Sequence, residues 1–188
     1  MSQQKLLIKV ITELQVHKIP YMVTGSTISS YQGDPRATHD IDMVVQLKQA
    51  DIAGLLKGFP EPDFYLNRES MEAAIASKDM FNLIDVRDGD KVDFFMLTTE
   101  PYDQARFNRR RFVEIFGSKM AISAPEDTIL YKLKWAKQSG GSEKQFYDAL
   151  RVYELQHGVL DQLYIHTWLG YLGIEDAWQR LLREAKII

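Results

Sequence analysis

The apolar pattern of this chain changes period at Ala124, and that change bounds the folds open to it. Before it, short runs rich in branched and aromatic residues lie between Gly, Pro and Asp clusters. Tyr21–Thr24, Ile41–Leu47, Asp63–Leu66, Phe81–Val86, Lys91–Leu97 and Phe112–Ile115 read as strands. Lys5–His17 and Lys48–Lys57 have helical spacing, Ser26–Tyr31 reads as a helix that begins right after Gly25, and Glu69–Ala76 as a helical turn or two. After it only helices are expected, over Glu126–Lys137, Glu143–Gln156, Asp161–Leu172 and Glu175–Ala185. Pro125 and the acids behind it suit a first turn, and Gly140, Gly141, Gly158 and Gly173 punctuate the rest. The organisation expected is an α/β core over 1–123 and a helical region over 124–188.

Within the core the clearest hairpin joins Phe81–Val86 to Lys91–Leu97 through Arg87-Asp88-Gly89-Asp90. Its second strand carries Asp93 among apolar neighbours, on the opposite face from Val92 and Phe94. A lone acid there is costly unless it is solvated, paired or bound to a metal. A second acidic feature starts another strand. In Asp40-Ile41-Asp42 the two carboxylates share a face while Ile41 turns to the core. Such a pair repels itself unless a cation or a proton lies between its members. Mg²⁺ suits hard oxygen ligands and the company of phosphates, with Mn²⁺ as a second option. A D-x-D pair alone is common. Its weight here comes from Tyr21–Thr24 and Gly25-Ser26 upstream, where a glycine turn and a helix N-terminus favour an anion.

With 188 residues and no cysteine, the composition excludes disulfides and thiolate metal sites, and a net charge of -3 argues against nucleic-acid binding through bulk charge alone. His17, His39, His157 and His166 show no zinc-ligand spacing. The N-terminal stretch is amphipathic and no apolar run is long enough to span a bilayer. The expectation is a cytoplasmic protein without a membrane partner.

Together, Val23-Thr24-Gly25-Ser26, Asp40-Ile41-Asp42 and Asp93 resemble the signature of the polymerase-beta-like nucleotidyltransferase superfamily. The string from Tyr31 to Asp42 looks like the AbiE-type toxin branch and related bacterial nucleotidyltransferases, and so do Lys132-Leu133 and Lys144-Gln145-Phe146-Tyr147-Asp148. Gln145 departs from the acid usual there. The resemblance implies an α+β nucleotidyltransferase fold, a mixed twisted sheet flanked by helices and followed by a C-terminal helical bundle. It implies Mg²⁺-dependent transfer of a nucleoside monophosphate from an NTP to a hydroxyl. Asp40 and Asp42 would hold two ions, and Asp93 would complete the catalytic ion's shell and help deprotonate the acceptor. Gly25, Ser26, Arg36, Thr38 and Lys132 form the nucleotide-binding set it suggests. Arg36 has loop anchoring as its alternative, and Lys132 a plain surface position. Asp148 is read as a buttress for Lys132 or Arg36.

The acceptor implied is RNA or protein, with the chain as the toxin of a toxin–antitoxin pair. A non-catalytic nucleotide- or partner-binding module, antitoxin-like, is one alternative; transfer to a small molecule of aminoglycoside type is another. Arg106 with Arg109–Arg111 is the densest basic run, either an RNA patch or a solvated face.

Overall fold

The computed structural model describes residues 2–35, 38 and 40–187. Arg36 and His39 lie outside the described residues. The chain forms two compact units, one of residues 1–24 and 38–122 and the other of residues 25–37 and 123–188.

The first unit holds one mixed seven-stranded sheet among the described residues. Its strands are β1 (Tyr21–Thr24), β2 (Asp40–Val45), β3 (Phe64–Leu66), β4 (Met80–Asp85), β5 (Lys91–Met96), β6 (Arg111–Ile115) and β7 (Ser118–Ile122). They lie in the order β3-β4-β5-β2-β1-β7-β6. β2 runs antiparallel to β1 and parallel to β5, while β4 and β5 form the expected antiparallel hairpin. The hairpin turn closes through the Gly89 amide, which donates to the Asp85 carbonyl at 2.8 Å, with Gly89 at φ 74°.

Strand alternation gives the sheet two unlike faces. Ile41, Met43 and Val45 of β2 lie beside Val92, Phe94 and Met96 of β5 on one face, all buried. Phe81 stacks on Phe94 at 4.8 Å between ring centres. Helix α1 (Gln3–Val16) buries Leu6, Leu7, Val10, Ile11 and Leu14. Its Gln15 side chain donates to the Tyr21 hydroxyl and to the Lys119 carbonyl, both at 3.0 Å, which ties the helix to β1 and β7. Met22, Val44 and Phe95 lie on the other face and pack with Leu97 and Phe107.

Two elements differ from the sequence reading. The stretch before the basic run forms a helix, α5 (Pro101–Asn108), after α3 (Ile52–Gly58) and α4 (Arg68–Ser77). Pro101 stands in its first turn, and the Asp103 carboxylate holds both the Thr98 hydroxyl and Arg106 Nε. The other is β7, a strand that pairs parallel to β1 at Val23↔Ile122 and antiparallel to β6. Its buried end, Met120-Ala121-Ile122, does not alternate, so it carries no period-2 signal.

The second unit is helical among the described residues: α2 (Gly25–Gln32), α6 (Pro125–Gln138), α7 (Glu143–Gln156), α8 (Gln162–Leu172) and α9 (Glu175–Glu184). Trp178 is fully buried and meets Tyr153 edge to face. Arg151 of α7 holds Asp34 through Nε at 2.6 Å and Nη2 at 3.1 Å. Gly33 lets the end of α2 approach α7. A Cβ there would stand 2.9 Å from the Ser29 carbonyl and 3.1 Å from Val152. Gly33→Ala is therefore expected to cost about 1–3 kcal/mol, read as a lower urea midpoint with an unchanged slope. No described helix is long and apolar enough to cross a membrane.

Candidate functional site

The register of β2 against β5 builds an acidic cluster on the sheet. Asp42 pairs with Asp93 and Asp40 with Lys91, so these four side chains form a two-by-two set on one face of adjacent parallel strands. Neighbouring strands lie about 4.8 Å apart, which places the two central carboxylates side by side. The row continues outward to Thr24 on β1 and Asn82 on β4, giving Thr24-Asp42-Asp93-Asn82 across four strands. The next row on the same face, Met22-Val44-Phe95-Met80, is apolar. Phe107 of α5 packs on its Met22, Val44 and Phe95 portion. The polar row thus borders an apolar one, which is why a sheet with a buried core also carries acids.

Asp93 is 8% exposed. Its Oδ2 accepts from Lys91 Nζ at 2.8 Å, whereas its Oδ1 is buried and finds no hydrogen-bond partner among the described residues. A carboxylate oxygen left so costs free energy unless something completes it. Lys91 Nζ also stands 3.8 Å from Asp40 Oδ1. The hydrogen bond to Asp93 raises the Lys91 pKa above the ordinary lysine value; partial burial opposes this, and the charges of Asp93, Asp40 and Asp42 add to it. Asp40 itself is exposed at the start of β2.

Among the described residues no three acids or histidines are placed as a ready metal cage. Mg²⁺ does not require one, because it is commonly held by one or two carboxylates with substrate phosphates and water. Adjacent Asp42 and Asp93, with an uncompleted oxygen on the latter, fit that mode.

The second unit carries a separate polar cluster around Lys132 of α6. This residue is 5% exposed, which excludes the plain surface position. Its ammonium donates to Asp148 Oδ2 and Gln145 Oε1, each at 2.8 Å, and to Ser26 Oγ at 3.4 Å. Gln145 keeps an acceptor oxygen where the resembling pattern has an acid, so the lysine retains that contact with one fewer negative charge. The Ser29 hydroxyl lies 3.3 Å from the Ser26 carbonyl and 3.5 Å from Asp148 Oδ2. Gly25 begins α2 at φ 67°, a left-handed conformation that favours glycine.

The Thr38 hydroxyl donates to the Asp40 carbonyl at 3.3 Å, just before β2 begins. The arginine run does not form one basic face. Arg106 is buried on Asp103, the Arg110 guanidinium lies 4.2 Å from the Phe107 ring centre, and Arg111 is exposed. Sequence reasoning missed Lys91 and the flanking Thr24 and Asn82. The spacing Lys91-x-Asp93 carried the lysine's signal, because alternation puts both on one face.

The architecture is a mixed sheet with helices, accompanied by a helical unit, and it is shared with solved nucleotidyltransferase structures. One is an antigenic nucleotidyltransferase-like protein from Paracoccidioides brasiliensis, with 19% identity, a TM-score of 0.56, and coverage of 98% of this chain and 94% of that one. Another is the antibiotic-resistance factor ANT(2'')-Ia, with 11% identity, a TM-score of 0.55 and coverage of 95% of each chain. No protein-family description and no curated protein matches this chain. The chain therefore has the nucleotidyltransferase fold.

Proposed function

We propose that this protein transfers a nucleoside monophosphate from an NTP to a hydroxyl group, with Mg²⁺ bound at Asp42 and Asp93. The observation that carries the reading is the β2–β5 register, which sets Asp93, from a separate hairpin, directly beside Asp42. Asp40, two residues before Asp42, is the further ligand on the same face.

When bound, Mg²⁺ polarises the phosphoryl oxygens and offsets the charge that builds on them in transfer. The chain's own residues supply the rest. Asp42 and Asp93 fix the position of the charge by their place in a rigid sheet. The Asp93 carboxylate, buried in the sheet, helps take the proton of the acceptor hydroxyl. Gly25 and Ser26 offer backbone amides and a hydroxyl at the start of α2 for the triphosphate. Lys132, held by Asp148 and Gln145, is the cation of that set. Thr38 and Arg36 remain in it on the resemblance of the string Tyr31–Asp42.

The same string, with Lys132 and Lys144–Asp148, supports RNA or protein as the acceptor and a toxin of a toxin–antitoxin pair as the biological role. The test is a panel of the four α-labelled NTPs with total RNA and cell lysate, with and without Mg²⁺. The expected result is label on an RNA or protein band and release of pyrophosphate, both lost on chelation. NTP binding without any pyrophosphate release overturns the reading in favour of a binding module. Label confined to small molecules overturns the macromolecular acceptor.

A further inference from the structure

Among the described residues Lys91 is the cation that holds Asp93, and the transfer chemistry above gives it no task. It comes from the same strand as Asp93, two residues earlier, and its Cα pairs with that of Asp40. Its ammonium is 2.8 Å from Asp93 Oδ2 and 3.8 Å from Asp40 Oδ1, so one positive charge spans acids from both strands. The two partners differ: the Asp93 side chain is 11% exposed, that of Asp40 57%. Lys91 itself is 34% exposed, and its four-carbon stem is flexible. The head group is therefore bound at one end to a mostly buried carboxylate and open to water at the other. The second oxygen of Asp93 stays uncompleted while the lysine sits on the first.

We propose that Lys91 is the resident counter-ion of this carboxylate row and competes with the divalent cation for it. This rests on the reading of Asp42 and Asp93 as ion ligands. Without the ion, the ammonium relieves the repulsion among Asp40, Asp42 and Asp93 and keeps the sheet stable. When the ion arrives, two positive charges face each other across one carboxylate. The lysine then swings off Asp93, or stays at the cost of weaker ion binding. Lys91 thereby sets how much divalent cation the site needs, and keeps it from loading at low concentration. Like charges a few ångströms apart at the partly exposed edge of a protein repel strongly enough to lower ion affinity.

The test uses Mn²⁺ as the probe, with free Mn²⁺ counted by electron paramagnetic resonance against the whole chain without nucleotide. Lys91→Met is expected to bind Mn²⁺ about tenfold more tightly than the unaltered protein, a typical size for coupling between two sites. Lys91→Arg, which keeps the charge, is expected to stay close to the unaltered affinity. The metal-free Lys91→Met protein should melt lower than the unaltered protein, and its midpoint should rise more steeply with added Mn²⁺. Equal or weaker Mn²⁺ binding by Lys91→Met, with binding lost in Asp93→Asn, overturns the counter-ion role and leaves the ion site standing. Mn²⁺ binding that Asp93→Asn does not change overturns the ion site, and the proposal falls with it.

Discussion

Asp93→Asn is expected to lower nucleotidyl transfer by about a thousandfold or more while the protein stays folded. The substitution keeps the shape of the side chain and removes its charge. Asp93 lies at the centre of the row Thr24-Asp42-Asp93-Asn82, so no other carboxylate on β5 can take its place. A lost charge at the reacting phosphoryl group forfeits several kcal/mol of stabilisation, and each 1.36 kcal/mol is about tenfold in rate. The fold should survive, because Asp93 holds Lys91 rather than an apolar neighbour, and Lys91 is partly exposed. Transfer is measured with α-labelled NTP under saturating Mg²⁺, and folding by circular dichroism. A folded Asp93→Asn protein with more than about a tenth of the original rate would sink the role given to this residue. Asp42→Asn should behave in the same way, because Asp42 is its direct neighbour.

That this pair was visible in the sequence follows from the arithmetic of strands. Alternation of two puts Asp40 and Asp42 on one face, and the hairpin signal at Arg87–Asp90 gives Asp93 a strand of its own. What the pattern does not contain is pairing between strands distant in sequence. β2 joins β5 across more than forty residues, and only that register sets Asp42 beside Asp93 and brings all three acids to one face of adjacent strands. The same gap hid β7, whose place beside β1 depends on a parallel pair, Val23↔Ile122, separated by almost a hundred residues. α5 was hidden for a different reason. The arginines at 109–111 dominate the local pattern as charge, although Pro101 and Asp103 mark a helix start. Lys132 was legible as a motif and illegible as a buried group. Helical spacing says which residues share a face, and burial depends on which helix covers that face. α7 does so here, bringing Asp148 and Gln145 onto the ammonium.

That buried cluster leads to the largest expected effect on stability. Asp148→Ala should destabilise the protein by about 3 kcal/mol, because it leaves a buried ammonium without its carboxylate. The Lys132 and Asp148 side chains are only 6% and 9% exposed, so water cannot readily replace the lost partner. For a chain of this size that loss corresponds to a fall in melting temperature of about 6–12 °C. Gln145 and Ser26 still accept from Lys132, which keeps the expected cost at the lower end of the range for broken buried pairs. Replacing both partners with apolar residues of similar volume, Lys132→Met with Asp148→Leu, should recover most of the loss, since neither charge then remains to be desolvated. The pair of results separates two jobs that one lysine can hold. If the double variant is stable but binds NTP more weakly than the unaltered protein, the cluster serves the triphosphate. If it is stable and binds NTP as before, Lys132 and Asp148 only join α6 to α7, and Lys132 leaves the nucleotide-binding set. A double variant as unstable as Asp148→Ala would mean that the polar contacts with Ser26 and Gln145, rather than the desolvated charge, hold this part of the helical unit together.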